Sequence, residues 1–273
     1  MTGTSSKLTG AHRFTVGRGF TGLRWTDVAT TLTPEARTFL RREFIPIAVE
    51  TFSGTTADFW DEWLADERLD DLHGLVLVLD ADGIPAAWVA SNQRVFGGRT
   101  CFYANSAGVR PQYQGAGLSS AIWRALLTSA IRESFPRRLH AVMRTANPLV
   151  YGAWSAAAGG IANTYPSAGT AAIPESIRRV AFDVATDLGQ QQRFSPDTLV
   201  IENAYENTAN GLWAQPPTSD RTDIDEWMRS ILGPKDAIVL VVIFHPISIL
   251  FSEAVRVVRR RFGLASKRTS RER

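Results

Sequence analysis

The 273-residue sequence predicts an α+β fold, a mixed, mostly antiparallel central sheet flanked by helices with C-terminal additions. Three observations carry this. Residues 75–79 (Leu-Val-Leu-Val-Leu) and 84–90 are β-favouring runs joined by Asp80-Ala81-Asp82-Gly83, whose residues suit a tight turn, so they read as a hairpin. Residues 109–118 place a small-residue turn between a strand-like run and an amphipathic helix. Another strand-like run, 138–144, and a further helical stretch then follow, so strands and helices interleave.

Along the chain, residues 1–12 are rich in Thr, Ser, Gly and Lys and carry no apolar core for export, so a flexible arm is expected and a secretory signal is not. Residues 34–52 and 56–69 have helical spacing, the second with Phe59, Trp60, Trp63 and Leu64 on adjoining positions. After the hairpin, Gly97-Gly98 turns the chain into a third strand, 100–109. The helix beyond the small-residue turn carries Leu118, Ile122, Leu126 and Ala130 on one stripe and should end before Pro136. Asn147-Pro148 opens the next helix, which runs to Gly159-Gly160. Beyond it, 174–188 reads as helix, 198–205 as strand and 223–232 as helix. The β-branched run 237–244 reads as a buried central strand, being too short to span a bilayer before Pro246, and 249–261 as a helix ending in cations. The expected organisation is an arm at 1–12, a core at 13–165, strands and helices completing the sheet at 166–262, and a basic tail at 263–273.

The segment Val109-Arg110-Pro111-Gln112-Tyr113-Gln114-Gly115-Ala116-Gly117-Leu118 has the chemistry of a pyrophosphate cradle. Amides in the first turn of a helix have no intrahelical partner and lie at the positive end of its dipole, so they hold phosphate without a cationic side chain. Gly115 and Gly117 let the backbone approach closely. A P-loop is excluded because Leu118 and Ser119 stand where its Lys and Ser/Thr belong, and a dinucleotide fingerprint because Ser120 replaces its third Gly.

Gln112, Gly115 and Gly117 match the Gln/Arg-x-x-Gly-x-Gly/Ala signature, and Val109, Pro111 and Tyr113 fit its flanks. The segment resembles motif A of the GNAT superfamily of N-acetyltransferases. That resemblance implies the GNAT acyl-CoA N-acyltransferase fold and transfer of an acyl group from acetyl-CoA, or another acyl-CoA, to a primary amine in a ternary complex, without a metal. It implies a coenzyme A site formed by Gly108, Val109, Gln112, Tyr113, Gln114, Gly115, Ala116, Gly117, Leu118 and Asn147. The thioester carbonyl would be polarised by backbone amides near Gly108 and Val109, where Asn105-Ser106-Ala107-Gly108 is a poor continuous strand and a bulge is expected.

For proton transfer, Asn105, Ser106 and Tyr103 are candidates to order a water, and Asp58, Asp61 and Glu62 are acids on an upstream helix. In the resembling family a Tyr seven residues after the Asn serves as acid. Counting from Asn147, that place holds Trp154, so Tyr151, one turn earlier, is the candidate acid. In the same family the two upstream helices line the acceptor side, so Phe59, Trp60 and Trp63 are either pocket or core. A carrier-protein or long-chain acyltransferase at a membrane face, or a coenzyme A-binding module without catalysis, are the alternatives.

Composition bounds the partners. Apolar residues make up 44% and charged residues 21%, ordinary for a globular protein. The single Cys101 cannot form an intramolecular disulfide and suits a reducing cytoplasm, and no His/Cys cluster marks a metal site. Eight of the 30 Lys and Arg residues lie in 256–273 with one acidic residue, leaving the rest of the chain with 22 basic and 26 acidic residues. The basic character thus belongs to the tail, and nothing favours a nucleic-acid substrate. The acceptor is expected to be a small-molecule amine. The tail reads as a solvated terminus, with an anionic membrane as its competing partner.

Overall fold

The computed structural model describes residues 8–17, 19–168 and 172–246, so the segment 249–261 and the basic tail lie outside the described residues. The chain opens with a hairpin that the sequence analysis left unassigned, β1 (His12–Gly17) and β2 (Phe20–Thr26). Its signal is alternation: Leu23 and Trp25 are buried, and Arg24 between them is half-buried. Residues 8–12, expected within the arm, are packed against the rest of the chain. Leu8 is buried, and the Trp25 indole donates to the Thr9 carbonyl at 3.4 Å.

Helices α1 (Val28–Thr31), α2 (Pro34–Phe39), α3 (Ile45–Thr51), α4 (Ala57–Trp63) and α5 (Asp66–Asp70) follow. Thr33 caps α2 by accepting from the Ala36 amide, and Pro34 takes the first helical position, where no N–H is needed. Between α2 and α3 the backbone widens into a π turn, Leu40–Phe44, just before Pro46. Proline lacks an N–H and its ring crowds the carbonyl four residues back, which a widened turn relieves. The single helix expected over 56–69 is broken at Ala65, which is extended. The reason is angular. Nine residues at about 100° each place Leu69 on the opposite face from Trp60 in a straight helix, and only a break lets both be buried, as they are.

Strands β3 (Gly74–Leu79), β4 (Pro85–Phe96) and β5 (Arg99–Val109) form an antiparallel meander, then α6 (Leu118–Ser134) crosses over to β6 (Leu139–Thr145), parallel to β5. After α7 (Pro148–Ala157) come β7 (Thr164–Tyr165), α8 (Glu175–Asp187), β8 (Phe194–Ser195), β9 (Val200–Ile201), α9 (Thr222–Ile231) and β10 (Ala237–Phe244). The strand expected over 198–205 shrinks to β9, because Leu199 and Asn203 have positive φ and cannot continue a ladder. Strand order among the described residues is β1-β2-β3-β4-β5-β6-β10-β9-β8, with β7 also on β10. The apolar run 237–244 is therefore a central strand, antiparallel to β6 along its length and flanked on its other edge by β9 and β7.

Side chains pack on both faces of this sheet. Helices α6, α7 and α9 cover one face through Leu118, Ile122, Tyr151, Trp154, Ile224 and Met228. On the other face, α1–α5 cover β2–β4 through an aromatic cluster of Phe44, Phe52, Trp60 and Trp88, while α8 covers β5, β6 and β10 through Ile177, Val180, Ala181 and Val184.

His140, buried on β6 beside Cys101, has its pKa lowered, chiefly by desolvation and then by the Arg99 charge. The unfolded chain therefore takes up this proton first as pH falls. The stability tied to neutral His140 is complete above about pH 7 and declines as pH drops through about 6.5 toward the folded value. Urea midpoints for the wild type should fall over that window, and His140→Gln should flatten the decline; an equal decline in the variant would assign it to other groups.

Candidate functional site

The parallel β5–β6 pairing holds only where Cys101, Phe102 and Tyr103 face His140, Ala141 and Val142. Past Tyr103 the two strands part, and the rest of β5, up to Val109, is hydrogen-bonded on its β4 side alone. The cause lies in β5. Ala90 pairs with Ser106 and Ser91 with Ala104, so Asn105 is an extra residue, a bulge of the kind expected in this stretch. A bulge bends and twists its strand and interrupts the ladder.

Backbone alternation then decides which amides the cleft receives. The Arg110 amide donates to the Ala86 carbonyl at 2.9 Å, toward β4. Successive residues of a strand point their amides to opposite edges, so Gly108 and Ser106 also face β4, whereas Val109 and Ala107 turn theirs toward the open edge. Of the two, Val109 is the one whose amide is turned to the open edge. Gly108 is glycine for another reason: it pairs with Trp88, and a Cβ there would overlap the indole ring.

The loop from β5 to α6 brings a second set of amides to the same edge. Gly115 and Gly117 have φ of +83° and +78°, the left-handed region that glycine enters without strain, and open space lies where their Cβ atoms would be. Gly117 is the N-cap of α6 with no side-chain cap. Among the described residues, the first-turn amides of Leu118, Ser119 and Ser120 meet no acceptor. The 17-residue α6 directs its positive dipole end into this gap. Side chains brace the loop: the Tyr113 hydroxyl donates to Asp80 at 2.6 Å, the Gln114 side-chain amide donates to the Val109 carbonyl at 3.2 Å, and Arg110 pairs with Glu50 at 2.8 Å. Tyr113 therefore anchors the loop to the β3–β4 turn through its hydroxyl. Gln112 and Ala116 are exposed along the loop, and the Leu118 side chain is buried beneath it.

On the opposite face of the sheet the bulge is tied to the helical layer. The Trp63 indole donates to Asn105 Oδ1 at 3.1 Å, Asn105 donates to Asn92 Oδ1 at 3.2 Å, and buried Asn92 donates to the Asp71 carboxylate at 3.1 Å, which also pairs with Arg94. The Trp88 indole donates to Ser106 Oγ at 3.1 Å. Asn105 and Ser106 thus come together on the helical face, with half-buried Trp63 above them. Trp60, by contrast, is core, its indole bonded to Thr55 Oγ1 at 2.7 Å. Tyr103 lies below, its pKa pushed up to about 12, mainly by burial. Sequence reasoning missed Asn92 and Asp71; the alternating register of β4 places Asn92 opposite Tyr103, next to the bulge, but no motif marks it.

Several expected residues have other employment. Tyr151 is fully buried, donates to the Pro166 carbonyl at 3.0 Å and accepts from the Ala168 amide at 2.8 Å, so its hydroxyl is committed away from the cleft. In this structure its hydroxyl links α7 to the 166–168 segment, and burial raises its pKa. Tyr151→Phe should lower stability by about 1–3 kcal/mol, because the buried Pro166 carbonyl and the half-buried Ala168 amide lose their partner, with turnover unchanged; a selective loss of turnover would support the catalytic reading. Trp154 packs edge-on against Trp123 at 4.7 Å and offers no hydroxyl. Asn147 caps α7 by accepting from the Leu149 amide at 2.9 Å. Asp58, Asp61 and Glu62 are exposed on α4, Glu62 pairing with Arg68 at 2.5 Å, so they face solvent rather than the bulge. Cys101 is buried and its thiol is pushed up to about 11, mainly by desolvation, so it stays protonated.

A model of the Acetyltransferase (GNAT) family matches residues 35–152, from α2 into α7. No curated protein matches the sequence. Solved structures similar to the chain include the ribosomal-protein-S18-alanine N-acetyltransferase from Escherichia coli, at 12% identity over 82% of this chain and 94% of that one, with a TM-score of 0.41. A GNAT family acetyltransferase from Brucella melitensis in complex with acetyl-CoA is similar at 16% identity over 45% of this chain and 74% of that one, TM-score 0.32. A GCN5-related N-acetyltransferase from Kribbella flavida shares 21% identity over 44% of this chain, TM-score 0.34, and the match spans only 30% of that protein's length. The matched segment, residues 35–152, contains the motif at 109–118 and is similar to the Acetyltransferase (GNAT) family over that stretch.

Proposed function

We propose that the protein is an N-acyltransferase that moves an acyl group, most simply acetyl, from acyl-CoA to a primary amine by direct attack in a ternary complex. The observation that carries this reading is the convergence of two sets of unpaired amides, Ala107 and Val109 on the open edge of β5 and Leu118, Ser119 and Ser120 at the start of α6, on one cleft. Acyl-CoA fits that arrangement, since the helix terminus suits its pyrophosphate and a free strand edge suits the amides of its pantetheine arm. When bound, acyl-CoA supplies an activated thioester; the chain's own residues do the rest. The glycine loop fixes the anionic end, and the Val109 amide is a preformed donor for a carbonyl oxygen gaining charge. Asn105 and Ser106 hold polar atoms beside the bulge where an amine can be desolvated and its proton passed to ordered water. Positioning supplies most of the rate enhancement, because no covalent intermediate is required.

The reading is tested by titrating acetyl-CoA calorimetrically and by following thiol release with a panel of amines. Micromolar binding with amine-dependent thiol release is the expected result. Binding without release for any amine would leave a coenzyme A-binding module, a second reading favoured by the buried Tyr151 and by Trp154 at the family's acid position. Among the described residues no helix is long and apolar enough to cross a membrane.

A further inference from the structure

The end of the sheet opposite the glycine loop carries exposed apolar and basic side chains together. Strands β5 and β6 are parallel, so both start at this end, and β10, antiparallel to β6, finishes there with Phe244 opposite Leu139. Gln93 donates to Glu133 at 3.1 Å, which joins the end of β4 to the end of α6. Two residues beyond each partner stand Val95 and Phe135, 69% and 54% exposed. Strand alternation keeps Val95 on the face of Gln93, so it lies on the α6 side, as Phe135 does. At the same end Arg99, Arg132, Arg137 and Arg138 are exposed, and among the described residues none of the four makes an ion pair or a side-chain hydrogen bond. Two acids on neighbouring elements already hold protein donors: Glu133 also accepts from Ser129 at 3.0 Å, and Asp183 accepts from the Gly97 amide at 2.7 Å. The positive field reaches inward, since after desolvation Arg99 and then Arg138 help to lower the pKa of buried His140.

We propose that this end of the molecule docks on an anionic lipid surface, with Phe135 and Val95 entering the boundary between headgroups and acyl chains and the four arginines meeting the lipid anions. Charge complementarity favours it, because unpaired cations are drawn to an anionic leaflet and each strengthens the attachment. A nucleic acid would answer the arginines but offers nothing to the exposed Phe135 and Val95, whereas a bilayer interface takes both kinds of group. The course of the chain points the same way. The described residues end at Pro246, two past Phe244, so residues 247–273 leave from this end. In that stretch the sequence spaces Ile247, Leu250, Phe251, Ala254, Val257 and Val258 for one side of a helix, and Arg256, Arg259 and Arg260 for the other, the pattern of a segment that lies in a lipid interface. The glycine loop is at the far end of the 17-residue α6, about 25 Å away, so attachment here leaves the cleft open.

The proposal stands apart from the acyltransferase reading, because its test needs no turnover. Full-length protein is floated with vesicles of phosphatidylcholine alone and with vesicles in which part of it is replaced by phosphatidylserine. Partition into the anionic vesicles should exceed that into neutral ones at least about tenfold and fall as salt is raised. In the full chain, Arg137→Glu combined with Arg138→Glu should lower anionic partition at least about tenfold, and Phe135→Ser about tenfold, through loss of a buried ring. These side chains are exposed, so melting temperatures should stay near that of the wild type; if the charge reversal lowers its own, Arg137→Gln with Arg138→Gln takes its place, with a smaller loss expected. Equal partition into both kinds of vesicle, or into neither, would overturn the proposal. Anionic partition that is unchanged in the folded variants would assign attachment to residues 247–273 alone and overturn it as well. So would retention on duplex DNA by a protein that does not float with vesicles, since the arginines would then serve a nucleic acid.

Discussion

Gly117→Glu is expected to abolish acetyl-CoA binding, raising its Kd by at least about a hundredfold, while the protein stays folded. Three effects add. At φ +78° any side chain except glycine is strained, at about 1–2 kcal/mol. A carboxylate at the N-cap would itself take the first-turn amides of α6 that suit a pyrophosphate. Its charge also repels a diphosphate at close range. Because open space surrounds the Gly117 Cβ position, nothing in the core has to move, and the melting temperature should fall only by the strain. Gly117→Asn separates the contributions, since Asn tolerates the left-handed region and adds no charge, so its loss of affinity should be much smaller. Unchanged affinity in the glutamate variant, measured calorimetrically, would remove the loop from the coenzyme A site.

A Val at Gly108 should be the most damaging single change in the sheet. A Cβ at this position falls within the Trp88 indole, which is 1% exposed and meets Phe44 edge-on at 4.6 Å, so the buried ring must be displaced to admit it. Overpacking of this kind costs about 1–3 kcal/mol for a single added group. Gly108→Ala should fall in that range and Gly108→Val above it, read as shifts of urea midpoint. The damage should also reach chemistry. Gly108 immediately precedes Val109, whose amide faces the cleft, and a displaced β5 would misplace that donor even in molecules that remain folded. Trp88→Leu combined with Gly108→Ala should recover part of the loss, a coupling that additive effects would contradict.

How far the sequence reached is clearest element by element. The hairpin β3–β4, the helix α6 and the central β10 were legible because their apolar spacing follows the period of the structure they form. The bulge was legible as an interval, since Asn and Gly in a strand interrupt packing, but only pairing with β4 assigns it to Asn105. Tyr151 shows the opposite case. Position along a helix brought it forward as an acid, yet the direction of α7 against the Pro166–Ala168 segment turns its hydroxyl into the core. The break at Ala65 and the loss of strand after Ile201 were likewise hidden, because one depends on which face must be buried and the other on left-handed residues that are not glycine.

By itself, the amino-acid sequence determined an α+β chain with a glycine-bearing, phosphate-suited turn ahead of an amphipathic helix, because turn chemistry and hydrophobic period are local properties of neighbouring residues. Only the tertiary structure decided which backbone amides are left unpaired, that Asn105, Asn92 and Asp71 form one polar chain, and that Arg144 is held by Gln190 and Ala204. These are products of strand register and of segments up to 60 residues apart meeting across a sheet, as Arg144 and Ala204 do. Such distances in sequence carry no periodic signal, and close packing alone brings them together.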